Sequence, residues 1–230
     1  MQVDLDGDGT VEAIVGVQAE GAEGLAESAS PGDVYVCASA SEGTGLPAGS
    51  TVLFSCRSSL PADLLPYFFQ AVFAGTGDFD GDGLNEVALV WLRQHWWPSA
   101  YRPLAVLQFD PVARRYEMVI DIHRAVCEIG DYATADVDDD GRPEILEIDP
   151  IYGTVIDPAY GAEVYECHFC PHRYEIGVFE FTGNAFVADS RVNGGKPYTT
   201  PEKYDPDTDE LAGAFLPELL ALVRGLILNP

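Results

Sequence analysis

One nine-residue pattern occurs three times in this chain. It reads Asp4-Leu-Asp6-Gly-Asp8-Gly9-Thr10-Val-Glu12, then Asp78-Phe-Asp80-Gly-Asp82-Gly83-Leu84-Asn-Glu86, then Asp136-Val-Asp138-Asp-Asp140-Gly141-Arg142-Pro-Glu144. Each copy spells D-x-D-x-D-G-x-x-E and runs straight into apolar, β-prone residues: AIVGV, VALVW and ILEI. Four carboxylates in nine residues repel one another unless something neutralises them. The apolar run that follows must be buried. A chain built this way has to repeat one unit, an acidic loop feeding a strand.

The spacing has a chemical reason. Carboxylates at positions 1, 3 and 5 of a tight loop turn inward on one ion, and glycine at position 6 permits the sharp bend. Position 7 offers its backbone carbonyl, so its identity is free to vary. Here it is Thr10, Leu84 or Arg142. The acid at position 9 closes the shell. Four carboxylates, a carbonyl and water supply six or seven oxygens, which suits Ca²⁺ better than Mg²⁺. No soft ligand lies in the loops, so zinc and copper match poorly. The expected ligand sets are Asp4, Asp6, Asp8, Thr10 and Glu12; Asp78, Asp80, Asp82, Leu84 and Glu86; and Asp136, Asp138, Asp140, Arg142 and Glu144, for about three Ca²⁺ ions. In the third set Arg142 is expected to point its charge outward. Replacing Asp140 by alanine should then remove one site, and replacing Asp139 should not.

An EF-hand would place an acid at position 12 and helices on both sides. Position 12 is Val15, Leu89 and Glu147, and the flanks read as strands. The loops instead resemble the FG-GAP/VCBS-type calcium repeat of integrin-α-like β-propellers. The segments 75–90 (GTGDFDGDGLNEVALV), 4–16 and 133–148 carry the likeness. Phe73-Ala74-Gly75 is the nearest approach to the dipeptides that name the motif, so the simpler VCBS-like branch fits better. The resemblance implies a strand–calcium loop–strand unit completed by two further strands, with loop positions 1, 3, 5, 7 and 9 as the ligands.

The remaining strands are legible from alternation. Residues 71–77, 87–92, 103–109 and 116–122 form one expected four-stranded unit. Residues 133–135, 145–148, 173–181 and 185–191 form another, the last two joined around Thr182-Gly183-Asn184. Residues 13–17, 33–38 and 50–55 belong to a unit whose entering strand is almost missing. The expected organisation is a first repeat at 1–66, a second at 67–130, a third at 131–204 and a C-terminal helical segment at 205–230. The fold class is all-β, with blade-like antiparallel sheets of an incomplete propeller, since three blades are too few to close a ring. Asp205 to Glu210 lacks the sixth-position glycine and reads as a helix N-cap region near Thr208, with Pro217 opening a second helical segment.

Charge narrows the partners. Lys and Arg number 12 against 38 Asp and Glu, a net charge of −26. That excludes the basic footprint nucleic acids require and disfavours anionic membranes. The apolar stretch 211–228 is interrupted by Pro217, Glu218 and Arg224 and does not read as a membrane span. No hydrolase, zincin or P-loop signature is present, so no catalysis is expected. Cys167-His168-Phe169-Cys170, with His123 and Cys127, is a weak zinc candidate; the alternative is a loop with a disulfide. Cys37 and Cys56 fall on strands expected to pair, as a disulfide or as two buried thiols. His95, Trp96 and Trp97 follow a strand and would serve either to cap the sheet or to stack on a sugar. The functional expectation is a calcium-binding scaffold module, extracellular, at the cell surface or periplasmic, with a protein or glycan ligand. Cytosolic calcium is too scarce to fill weak sites. The alternative is a carbohydrate-binding module or an ancillary domain of a secreted enzyme.

Overall fold

The computed structural model describes residues 2–16, 33–37, 51–60, 68–93, 102–126, 130–165 and 171–200, with positions 221, 224 and 225. The chain divides into two compact units, Met1–Ala125 with Thr182–Ala185, and Val126–Phe181 with Phe186–Pro230.

The first unit holds two four-stranded sheets. One comprises β1 (Gln2–Val3), β2 (Glu12–Gly16), β3 (Val34–Cys37) and β4 (Val52–Ser55), hydrogen-bonded in that order. The other comprises β5 (Phe68–Gly77), β6 (Glu86–Arg93), β7 (Arg102–Asp110) and β8 (Arg115–Val126), again in chain order. The β7–β8 turn is held by Asp110, whose Oδ1 accepts the N–H groups of Val112 and Ala113.

β6 is apolar on both faces, and Val87 through Trp91 are all buried. Its alternate residues Val87, Leu89 and Trp91 share one face. They join Leu5, Ile14, Val34, Val36, Ala105 and Leu107 in a single core formed by both sheets. Each buried valine, leucine or isoleucine among them contributes about 1.5–3 kcal/mol relative to exposure.

In the second unit β9 (Asp131–Ala135), β10 (Glu144–Ile151), β13 (Arg173–Phe181) and β14 (Phe186–Ala188) form a sheet ordered β14-β13-β10-β9, with β15 (Tyr198–Thr199) also on β13. β10 and β13 pair antiparallel from Ile145↔Phe179 to Ile151↔Arg173. β11 (Thr154–Ile156) and β12 (Glu163–Tyr165) form a separate hairpin between them. Leu146, Ile148, Tyr174, Ile176 and Val178 form the core of this unit.

The described structure is therefore all-β and antiparallel, and its strands close no barrel or ring. The strand expected at 185–191 is shorter. β14 stops at Ala188 because Asp189 Oδ1 accepts the N–H of Arg191 and turns the chain. Cys56 lies just beyond β4, and Cys37 and Cys56 are free buried thiols. The 3₁₀ turn Arg57–Ser59 follows, tied to Asp33, which accepts hydrogen bonds from Val34 N, Arg57 N and Ser55 Oγ. β11, β12 and β15 were not expected from alternation; each is only two or three residues long. The C-x-x-C segment, Trp96 and Trp97 lie outside the described residues. So does the C-terminal helical segment, apart from Ala221, Arg224 and Gly225, whose backbone is helical. Among the described residues no helix is long and apolar enough to cross a membrane.

Candidate metal centres

Each acidic loop connects two neighbouring antiparallel strands: β1 to β2, β5 to β6 and β9 to β10. The internal wiring is nearly the same in all three. The position-1 carboxylate accepts the N–H of the position-6 glycine at 3.0 Å: Asp4 from Gly9, Asp78 from Gly83, Asp136 from Gly141. Those glycines have φ of 86°, 92° and 94°, a region that excludes most side chains. The position-3 carboxylate accepts the position-5 N–H. The position-5 carboxylate accepts the position-7 N–H, from Thr10, Leu84 and Arg142.

Position 9 opens the exit strand and reaches back across the loop. Oε2 of Glu12, Glu86 and Glu144 accepts the backbone N–H of Leu5, Phe79 and Val137 at 2.8, 2.6 and 2.7 Å. These three position-2 residues are buried and pin the loop to the sheet. Sequence reasoning passed over position 2. Its uniformly apolar character was the available signal.

The position-9 carboxylates are themselves buried, at 4, 2 and 2% exposure. Burial, reinforced by neighbouring aspartates, pushes Glu86 up to about 8 and Glu144 up to about 7, and raises Glu12. A carboxylate desolvated among other carboxylates is an electrostatic deficit that a cation would relieve.

The convergence of oxygens fits such a cation. One oxygen from each of Asp78, Asp80, Asp82 and Glu86 lies within 4.8 Å of every other. Ligands about 2.3–2.6 Å from a shared Ca²⁺ are separated by at most about 5 Å. The first loop brings Asp4, Asp6 and Asp8 together to the same tolerance, and the third brings Asp136, Asp138 and Glu144. Glu12 and Asp140 stand outside these two groups. Asp136 Oδ1 is buried with no hydrogen-bond partner among the described residues, as an oxygen reserved for a metal would be.

The neighbourhoods of the loops differ. The Tyr116 hydroxyl of β8 reaches Asp6 Oδ2 at 3.5 Å, and burial with the adjacent carboxylates raises its phenol. Leu84 and Asn85 of the second loop touch the first: Asn85 Nδ2 donates to the Asp4 carbonyl at 3.4 Å.

The third loop is ringed by arginines. Arg142 does not direct its charge away as expected. Its Nη2 turns back onto Asp140 Oδ2 at 2.9 Å, since the nearest available counter-charge is two residues away, and holds that carboxyl below its ordinary range. Arg191 reaches Asp138 and Asp140, and Arg224 Nη2 donates to the Asp136 carbonyl at 2.7 Å. Neither arginine has a sequence signal, because each lies dozens of residues from the loop.

No family model, curated protein or solved structure matches the chain.

Proposed function

We propose that this chain is a calcium-binding β-repeat module that serves as a binding or adhesion scaffold outside the cytosol and performs no catalysis of its own. The observation that carries this reading is the second loop, where four carboxylate oxygens converge within 4.8 Å around a glutamate that is 2% exposed. Hard oxygen donors in that number favour Ca²⁺ over softer metals. Near-identical wiring in the other two loops supports about three ions per chain. The FG-GAP/VCBS-type reading rests on the same loop pattern leading directly into a strand. The net charge of −26 supports a cation-dependent protein over a nucleic-acid partner.

In this reading Ca²⁺ would be held by the carboxylates of positions 1, 3, 5 and 9 and by the carbonyl of position 7. It would supply the positive charge that lets the loops close. The protein or glycan partner is left to the surface that the loops stabilise.

Thermal unfolding of the full chain, with 2 mM-scale calcium or with EGTA, tests the proposal. A ligand bound by the folded state alone stabilises it by mass action, so calcium at about 100 times its Kd should add about 2.7 kcal/mol. Identical melting in calcium and EGTA would overturn the reading.

A further inference from the structure

Arg191 stands at the turn after β14, and its guanidinium lies among five carboxylates. Nε meets Asp189 Oδ1 at 3.0 Å, and Nη2 meets Glu180 Oε1 at 2.6 Å and Glu144 Oε1 at 3.8 Å. Nη1 pairs with Asp138 and lies 3.5 Å from Asp140 Oδ2. Three of these acids, Asp138, Asp140 and Glu144, are the third loop's positions 3, 5 and 9. The side chain is held from outside the loop by Asp189, whose own side chain is 1% exposed, so its placement is built into the fold. By contrast, Asp4, Asp6, Asp8 and Glu12 of the first loop form no ion pair with a described Lys or Arg.

We infer that Arg191 is a tethered counter-cation of the third loop that competes with Ca²⁺ and sets this site's affinity below that of the first. The inference rests on the calcium reading above. A guanidinium already paired to Asp138 neutralises part of the charge the metal would meet. Calcium entry must break that pair and then hold two positive groups at close range. Without metal, the same arginine relieves carboxylate repulsion, so the third loop stays ordered when the first loses its ion. Asp189 and Glu180 lie outside the loop pattern and remain as partners for the displaced guanidinium, which makes the exchange reversible. The third site thus responds to calcium over a higher concentration range than the first.

The position-6 glycine amides report each loop separately, because each is hydrogen-bonded to its own position-1 aspartate. Calcium titration of the full-length chain, followed by amide NMR of Gly9, Gly83 and Gly141, tests the inference. In the unmodified chain Gly141 should titrate after Gly9. In Arg191→Met, and in Arg191→Gln as a second neutral variant, its midpoint should fall by roughly tenfold or more. Arg191→Lys keeps the charge and should leave Gly141 late. In EGTA the neutral variants should broaden or shift Gly141 while sparing Gly9 and Gly83. If Gly9 and Gly83 respond to calcium but Gly141 titrates with Gly9 and ignores Arg191→Met and Arg191→Gln, the inference fails and the calcium reading stands. If none of the three glycines responds, both fail.

Discussion

Gly7 and Asp139 hold the same place, position 4, in the first and third loops, and share a left-handed backbone with φ of 70° and 61°. The consequences differ. Gly7 N donates to Asp4 Oδ1 at 2.8 Å, as Gly81 N does to Asp78 Oδ1 at 2.7 Å. In the third loop the equivalent oxygen, Asp136 Oδ1, is buried without a hydrogen-bond partner among the described residues. Asp139 therefore adopts the glycine conformation at a steric cost and without that hydrogen bond.

Asp139→Gly should stabilise the metal-free protein by about 1 kcal/mol, since a side chain in the left-handed region costs about that much and aspartate tolerates it better than most residues. Urea denaturation in EGTA measures it as a raised midpoint at constant slope. Calcium stoichiometry should not change. A lowered midpoint would show that the Asp139 contact with Arg224, 3.5 Å away, outweighs the strain.

Gly7→Ala should do the opposite. A β-carbon there would meet Leu84 Cδ2 at 2.7 Å, and the backbone has φ of 70°. A loss of about 1–3 kcal/mol is expected. Because Leu84 belongs to the second loop, calcium binding at Gly83 should weaken along with that at Gly9. Amide NMR separates the two. An effect confined to Gly9 would mean that the loops are energetically independent.

The buried glutamates give the metal-free protein an unusual pH dependence. Glu86 is raised from 4.5 to about 8 and Glu144 to about 7, chiefly by burial. A folded-state value above the unfolded one means that the folded protein binds more protons between them. The stability these groups contribute in EGTA should thus be fully present below pH 4.5 and be lost as pH rises through about 7 and 8. Calcium needs the ionised carboxylates, so its affinity should rise over the same interval. Glu86→Gln should flatten the upper part of the EGTA profile and weaken calcium at the second loop. An EGTA profile that is level from pH 5 to 8 would contradict the assignment.

Leu5 couples the core to the first loop. It is fully buried, and its N–H is the donor to Glu12. Leu5→Ala should cost about 2–5 kcal/mol and loosen the Glu12 contact, lowering calcium affinity at Gly9 as well as the melting temperature. A stability loss with unchanged affinity would separate packing from the site.

The loops and the strands leaving them were legible because their determinants are local. Aspartate spacing, the position-6 glycine and the alternation of β10 and β13 all lie within a dozen residues of what they specify. Position 2 was also local, but apolar residues inside an acidic loop read as filler until Glu86 was seen to bond the Phe79 amide. Arg191 was not legible. Its role depends on Asp189 ending β14 and folding the chain back towards Asp138, a contact between residues far apart in sequence. The outward Arg142 failed for a related reason: ligand spacing sets where carbonyls and carboxylates go, but long cationic side chains follow the local charge. The short strands β11, β12 and β15 carry too few residues for alternation to register.

Isothermal titration calorimetry of the chelator-stripped full chain with CaCl₂ tests the central claim most directly. About three equivalents should bind, the third loop's more weakly than the first loop's, and Asp82→Ala should remove about one. Absence of binding heat at several temperatures, with a melting temperature indifferent to EGTA, would contradict it.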